Sequence, residues 1–135
     1  MRIAIISDIH GNLEAFEQVL ADIEKFQVDD IISLGDQIGY GPDPERVIRR
    51  IRQNNLSAVK GNHELAVIKP AYLNWFNRAA RKSLSITQKH LSPQSIDFIA
   101  NLKDHLTAYG CRFVHGFPPD ALLTYLLQIS DEEKT

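Results

Sequence analysis

The feature that most constrains this fold is a strand, a helix and a second strand within about 30 residues of the N-terminus. The continuous apolar run from Ile3 to Ile6 is typical of a parallel strand covered on both faces. Asn12 can cap a following helix from Leu13 to Phe26, in which apolar residues recur at helical spacing. A second apolar run, Ile31–Leu34, comes next. This pattern predicts a βαβ unit with a right-handed crossover, and therefore an α/β fold.

The rest of the chain continues the alternation of strands and helices. Trp75 and Phe76 are predicted to pack inside the protein and not to form a stacking platform. The segment around Gly110 and Cys111 fits either a tight hairpin or the lead into one strand, and we favour the hairpin. The remaining predictions, in chain order, are a helix from Pro44 to Ile51, a strand over Leu56–Val59, a helix from Tyr72 to Leu91, a helix capped by Ser92, hairpin strands at Leu106–Tyr109 and Arg112–Val114, and a helix from Asp120 to Ile129.

The composition is that of one ordinary globular domain spanning residues 1–135. Fifteen basic and 17 acidic residues nearly balance, so no nucleic-acid partner is indicated. The single cysteine, Cys111, excludes an intramolecular disulfide and a cysteine-based zinc cluster. The first apolar run is too short for a secretory signal, and no stretch approaches the roughly 20 apolar residues that cross a bilayer. We therefore expect a cytoplasmic protein with no membrane partner.

Polar side chains follow the end of each predicted strand. Asp8 and His10 follow the first strand, Asp36 the second, Asn62 the third and His115 the last. Each could be a turn residue, a helix cap or a buried structural histidine if it stood alone. Because ligands of open α/β sheets bind outside the carboxyl ends of the strands, we expect these five side chains to meet at one edge of the sheet.

The chemistry of these side chains indicates a metal site. Carboxylate, amide and imidazole donors together suit Mn, Fe, Zn or a neighbouring divalent ion, whereas a Ca site would use oxygen ligands only. The carboxylate of Asp36 can bridge two ions, and two ions about 3.5–4 Å apart can hold the groups of an in-line phosphoryl displacement. His63, adjacent to Asn62, is placed to contact a substrate oxygen or to protonate a leaving alkoxide.

Four segments together resemble the motifs of a known family. Ser7–Asn12, Gly35–Pro42 and Gly61–Glu64 look like the first three motifs of the calcineurin-like metallophosphoesterases, and Phe113–Pro118 looks like the fourth. They occur in the family's order across essentially the whole chain, in the style of the small bacterial and archaeal phosphodiesterases. The resemblance implies an αββα sandwich and a hydrolase that acts on phosphate esters.

Carried over residue by residue, the resemblance implies a two-metal centre. Asp8 and His10 would bind one ion, Asn62 and His115 the other, and Asp36 would bridge them. His63 would match the histidine that stabilises the transition state or protonates the leaving group, and Glu64 stands where the family usually has Asp. Mn is the expected metal, with Fe, Zn, Ni or Mg as alternatives. No residue is assigned to substrate binding.

One family motif is missing from this chain. No histidine follows His115, so the late Gly-His-x-His motif is missing, and we expect a truncated domain with most of the second sheet absent. The helix predicted over residues 121–129 has almost no polar face, so we expect a second copy or a complementing chain to cover it. Two functions follow as expectations. The first is hydrolysis of a phosphomonoester or phosphodiester by metal-activated water, and the alternative is a catalytically impaired metal-binding or regulatory relative that needs a partner chain.

Overall fold

The computed structural model describes residues 1–118 and 122–124. Within these ranges it contains five strands and five α-helices. The strands are β1 (Ile3–Ile6), β2 (Asp30–Ser33), β3 (Ser57–Ala58), β4 (His105–Ala108) and β5 (Cys111–Val114). The helices are α1 (Leu13–Glu24), α2 (Pro44–Gln53), α3 (Asn62–Ile68), α4 (Arg78–His90) and α5 (Pro93–Asn101), with a 3₁₀ helix at Pro70–Trp75.

The first three strands form a parallel sheet in the order β1-β2-β3. In its register Ile3 lies opposite Asp30, and Ile32 lies opposite Ser57. The side chain of Asn12 accepts a hydrogen bond from the backbone N–H of Ala15 and so caps α1 as predicted. The predicted βαβ unit is confirmed, and its parallel strands all point their carboxyl ends to one edge.

Two apolar clusters hold the helices in place. In the first, α1 and α2 pack on the sheet, with Phe16, Val47 and Ile51 among the buried residues. In the second, α2 supplies Ile48 to a cluster shared with α3, α4 and α5. Val47, Ile48 and Ile51 are fully buried, as the spacing of apolar residues predicted for this helix. The α2 helix therefore joins the two clusters into one scaffold behind the strand ends.

The region between residues 62 and 91 differs from the prediction. The single helix expected from Tyr72 to Leu91 is wrong, because α4 begins only at Arg78, where the side chain of Asn77 accepts a hydrogen bond from the Ala80 N–H. An asparagine in extended conformation that caps a new helix cannot also continue the one before it. The α3 helix was not predicted. Trp75 is 69% exposed, so its predicted packing role is wrong, whereas Phe76 does pack against the second cluster.

The second sheet is small among the residues that the structure describes. It consists of the antiparallel hairpin β4–β5, which confirms the favoured alternative for this segment. Ile5 in β1 is 56% exposed, so the expectation that both faces of this strand are covered is wrong for the described chain. Most of the helix predicted from Asp120 to Ile129 lies outside the described residues, and Leu122 and Leu123 lie in a turn. No helix in the described ranges is long and apolar enough to cross a membrane.

Candidate metal centre

A cavity of about 500 Å³ lies where the parallel strands end. All six residues singled out from the sequence line it, although up to 107 positions separate them in the chain. The lining residues are Asp8, His10, Asp36, Tyr40, Asn62, His63, Trp75, Phe76, Asn77, Ala80, His115 and Leu123. The predicted convergence of these side chains at one edge of the sheet is therefore what the structure shows.

The loops that carry the polar side chains have unusual backbone conformations. Asp8, His10 and Asp36 have φ angles of 55°, 49° and 53°, in the left-handed region that side-chain-bearing residues seldom occupy. Hydrogen bonds between the loops hold these conformations, from the Asp8 N–H to the Gly35 carbonyl and from the His10 N–H to the Asp36 carbonyl. Backbone strain of this kind persists where the surrounding structure enforces it, and it is concentrated at functional sites.

Asp36 lies at the centre of the polar side chains. Its side chain is 5% exposed, and one oxygen, Oδ2, faces three imidazoles. The Nε2 atoms of His115, His10 and His63 lie 3.6, 3.8 and 3.9 Å from Oδ2. The other oxygen, Oδ1, accepts the backbone N–H of His63 at 3.0 Å. Oδ2 therefore faces the Nε2 atoms of three histidines, while the hydrogen bond to Oδ1 fixes the orientation of the carboxylate.

Two further oxygen donors lie beside two of these histidines. Asp8 Oδ1 lies 3.6 Å from His10 Nε2, and Asn62 Oδ1 lies 3.0 Å from His115 Nε2. The Nδ1 atoms of His10 and His115 are directed instead at the carbonyls of Ile38 and Leu34, at 3.1 and 2.8 Å. A neutral imidazole that donates from Nδ1 to a carbonyl keeps its Nε2 lone pair for the cavity, which is the usual support for a metal-binding histidine.

The electrostatics of the cavity favour a bound cation. Burial and, to a smaller extent, the nearby Asp8 carboxylate raise the pKa of Asp36 from 3.8 to about 7, although the hydrogen bond from the His63 N–H opposes the rise. Burial together with His10 and His115 lowers the pKa of His63 from 6.5 to about 3. Lone pairs such as those of His115 Nε2 and Asn62 Oδ1 repel at 3.0 Å unless a proton or a cation lies between them. The donor set therefore fits divalent metal.

Three residues of the cavity have ligand atoms that lie especially close together. The ligand atoms of His10, Asp36 and His63 all lie within 4.8 Å of one another, so these three residues could hold a metal ion by themselves. This grouping places His63 among the possible ligands, whereas the sequence interpretation gave His63 a catalytic role.

Glu64 holds two of the cavity loops together. Its side chain is fully buried, and its carboxylate accepts the backbone N–H groups of Asp36, Gly61 and Ile38 at 2.9, 2.8 and 3.2 Å. Burial and the charge of Asp36 raise the pKa of Glu64 against these three hydrogen bonds. At Gly61 a Cβ atom would lie 2.1 Å from Asp36 Oδ1, so only glycine fits there. The carboxylate and the glycine together allow the loops after β2 and β3 to approach closely.

Aromatic side chains were not assigned to the site from the sequence, although three of them line the cavity. The ring centroid of Tyr40 lies 4.8 Å from that of His10 and 4.9 Å from that of His63. Phe76 packs edge-on against His63 at 5.1 Å. From the sequence, a place at the cavity could have been inferred only for Tyr40, because it lies between Gly39 and Gly41 in a loop that follows a strand.

Comparisons with known proteins agree with this geometry. The profile of the family described as calcineurin-like phosphoesterase matches residues 1–131. An uncharacterized protein of Methanocaldococcus jannaschii is 38% identical over 100 residues, which make up 74% of this chain and 41% of that protein. Serine/threonine-protein phosphatase 2 of Escherichia coli is 38% identical over 61 residues, or 44% of this chain and 28% of the phosphatase. The crystal structure of a metallophosphoesterase from Sphaerobacter thermophilus has a TM-score of 0.78 and 38% identity, covering 93% of this chain and 51% of that chain.

This chain therefore belongs to the calcineurin-like phosphoesterase family, a family of hydrolases that act on phosphate esters. The resemblance recognised in the sequence motifs is confirmed, and so is the α/β fold that it implied. The chain spans less than half the length of these two curated relatives and about half of the Sphaerobacter chain.

Proposed function

We propose that this chain carries a metal-dependent phosphoesterase site that hydrolyses a phosphomonoester or a phosphodiester. Asp8 and His10 would bind one divalent ion, Asn62 and His115 would bind a second ion, and Asp36 would bridge the two. Bound ions of this kind lower the pKa of a water molecule and offset the charge of the phosphoryl oxygens. Mn is the first choice for a mixed nitrogen and oxygen donor set, with Fe, Zn, Ni or Mg as alternatives.

The observation that carries this proposal is that two histidines, each beside an oxygen donor, approach the Asp36 carboxylate. His10 Nε2 lies 3.6 Å from Asp8 Oδ1, and His115 Nε2 lies 3.0 Å from Asn62 Oδ1. Both histidines approach the same oxygen, Oδ2, at 3.8 and 3.6 Å. A buried carboxylate close to two such pairs, each with one nitrogen and one oxygen donor, supports a bridging role, because a carboxylate has two oxygens that can bind metal.

We assign His63 the role of contacting the substrate. Its Nδ1 atom is buried against Gly39 and has no hydrogen-bond partner among the described residues. An orphaned acceptor is tolerated better than an orphaned N–H, so the proton belongs on Nε2, the atom that faces the cavity. The lowered pKa keeps the ring neutral near pH 7. A neutral ring with its N–H directed into the cavity is suited to donate a hydrogen bond to a phosphoryl oxygen.

The test is hydrolysis of bis(4-nitrophenyl) phosphate and 4-nitrophenyl phosphate with added Mn²⁺. We expect turnover by the purified chain and its loss in Asp36→Asn, which keeps the size of the side chain but removes its charge. Asp22→Asn, on the exposed face of α1, is the matched control and should retain activity. Equal rates for the wild type and Asp36→Asn would refute the proposal.

A metal-binding or regulatory relative without turnover is the second candidate. It is favoured by the small number of histidines at the site. The chain has five histidines, and the two outside the cavity, His90 and His105, are both exposed. Each ion would then have only three ligands from this chain, counting Asp36 for both. Titration calorimetry that shows stoichiometric Mn²⁺ binding by a chain that hydrolyses neither ester would favour this candidate over the enzyme.

We further propose that a second copy or a complementing chain pairs with the segment 121–129, whose sequence is almost entirely apolar. Sedimentation equilibrium tests this proposal, and a monomer at high micromolar concentration would contradict it. A cytoplasmic location remains part of the proposal.

A further inference from the structure

We propose that Tyr40 and Trp75 form a stacking site for a planar aromatic ring in the alcohol part of the substrate. The preferred substrates would then be phosphate esters of nucleosides or of similar ring-bearing alcohols. This inference rests on the proposed phosphoesterase site and names the substrate class of that site.

The first argument is the exposure of both rings. Trp75 is 69% exposed and Tyr40 is 57% exposed, although both line the same cavity as the metal-binding side chains. Phe76, beside Trp75, shows the alternative, because it turns inward and packs against the core. Aromatic side chains are among the largest contributors to burial, so two of them left in solvent at one cavity indicate a binding surface.

The second argument is the way Tyr40 is held. Its φ angle of 56° lies in the left-handed region, and its backbone N–H donates a hydrogen bond of 2.7 Å to Ser83 Oγ in α4. This anchored and strained conformation places the phenol ring within 5 Å of the His10 and His63 rings. A strained residue kept in place by its surroundings is typical of a functional role. The ring lies directly beside the groups proposed to bind the phosphate.

The third argument is the size of the cavity. Its volume of about 500 Å³ falls within the roughly 300–1,000 Å³ typical of small-molecule sites. Its inner end is polar, with Asp36 and the histidines, and Trp75 and Tyr40 provide aromatic surface. A ligand with an anionic end and a flat ring matches both the polar end and the aromatic surface of the cavity. Stacking of one base on an aromatic side chain contributes about 1–3 kcal/mol and does not depend on which base is present.

Trp75 is the only tryptophan in the chain, so its fluorescence reports binding at this surface without any need for turnover. We would titrate the protein with AMP, ribose 5-phosphate and inorganic phosphate in the presence of Mg²⁺. We expect AMP to quench the fluorescence and to bind about tenfold more tightly than ribose 5-phosphate, which has the same phosphate and sugar but no base. Equal affinities for AMP and ribose 5-phosphate would overturn the inference, and so would the absence of binding by both.

Variants give an independent comparison by calorimetry. Trp75→Leu should raise the dissociation constant for AMP about tenfold and leave that for ribose 5-phosphate unchanged, whereas Trp75→Phe should retain most of the affinity. Tyr40→Leu should weaken the binding of AMP by more than it weakens that of ribose 5-phosphate, because the Tyr40 ring also packs beside His10 and His63. Tyr109→Leu, at an exposed tyrosine in the β4–β5 turn, is the control and should bind AMP as the wild type does. If a variant fails to fold, the comparison of AMP with ribose 5-phosphate in the wild type still decides the question.

The outcomes separate this inference from the proposed function. Ring-dependent binding of AMP without hydrolysis of any ester would support the stacking site and count against the enzyme. Hydrolysis of nitrophenyl esters combined with equal binding of AMP and ribose 5-phosphate would support the enzyme and overturn the stacking site.

Discussion

Replacing Asp36 by asparagine should make the metal-free protein more stable, even though it should destroy the metal site. Asparagine keeps the oxygen that accepts the His63 N–H, and it is the side chain that best tolerates the left-handed φ of 53° at this position. What changes is the charge at a position that is 4% exposed. The effect on stability should therefore report the cost of ionising this buried carboxyl group.

The magnitude follows from the raised pKa of Asp36. The pKa rises from 3.8 to about 7 on folding, so between these values the unfolded chain has lost a proton that the folded chain retains. Stability then falls as pH rises through this interval and is fully reduced above pH 7. At about 1.4 kcal/mol for each pKa unit, the full penalty is about 4 kcal/mol, and solvent entering the open cavity should lower it to about 2 kcal/mol.

The assay is urea denaturation in EDTA at pH 5 and at pH 8. Asp36→Asn should exceed the wild type in free energy of unfolding by about 2 kcal/mol at pH 8, and the difference should shrink at pH 5. Added Mn²⁺ should reverse the order, because an ion at a hundred times its dissociation constant stabilises the wild type by about 2.7 kcal/mol. A variant that is less stable than the wild type in EDTA at pH 8 would refute the reasoning.

Three further predictions concern the support of the site. Glu64→Ala leaves three buried N–H groups without an acceptor and should lower the free energy of unfolding by about 3 kcal/mol or more in urea, whereas Glu24→Ala should change it by less than about 0.5 kcal/mol. Gly61→Ala should displace the Asp36 carboxylate and weaken Mn²⁺ binding at least about tenfold by calorimetry, because the new Cβ would lie 2.1 Å from Oδ1. Lowering the pH from 7.5 to 5 should release Mn²⁺, measured by dialysis, as protons compete with the ion for the ligand nitrogens of His10 and His115. Unchanged metal content at pH 5 would show that those histidines are not ligands.

The meeting of the polar side chains could be predicted because it depends on a simple property of parallel sheets. Strands that run in the same direction end at the same edge, so residues that follow the strands must converge. Asp8, Asp36 and Asn62 could be placed together from the sequence for this reason, with no knowledge of the side-chain geometry. The assignment of each residue to a particular ion remains a prediction.

Other features depend on contacts that local sequence patterns do not contain. Two of the three N–H groups that Glu64 binds, those of Asp36 and Ile38, lie 28 and 26 positions away, and nothing in the residues next to Glu64 indicates them. The predicted helix is interrupted before Arg78 because Asn77 caps a new helix within an otherwise helical apolar pattern. The place of Tyr40 at the cavity depends on its bond to Ser83, 43 residues away. For Glu64 and Tyr40 a tertiary contact sets the position, whereas the Asn77 cap is a local contact with Ala80 that the spacing of apolar residues concealed.

The stoichiometry of bound metal tests the central claim most directly. Dialysis against Mn²⁺ followed by elemental analysis should find about two ions per chain in the wild type, since the proposed ligands form two pairs that would share the Asp36 carboxylate. Asp8→Ala and His115→Ala should each lose one ion, and Asp36→Asn should lose both. Wild-type metal content in all three variants would contradict the account.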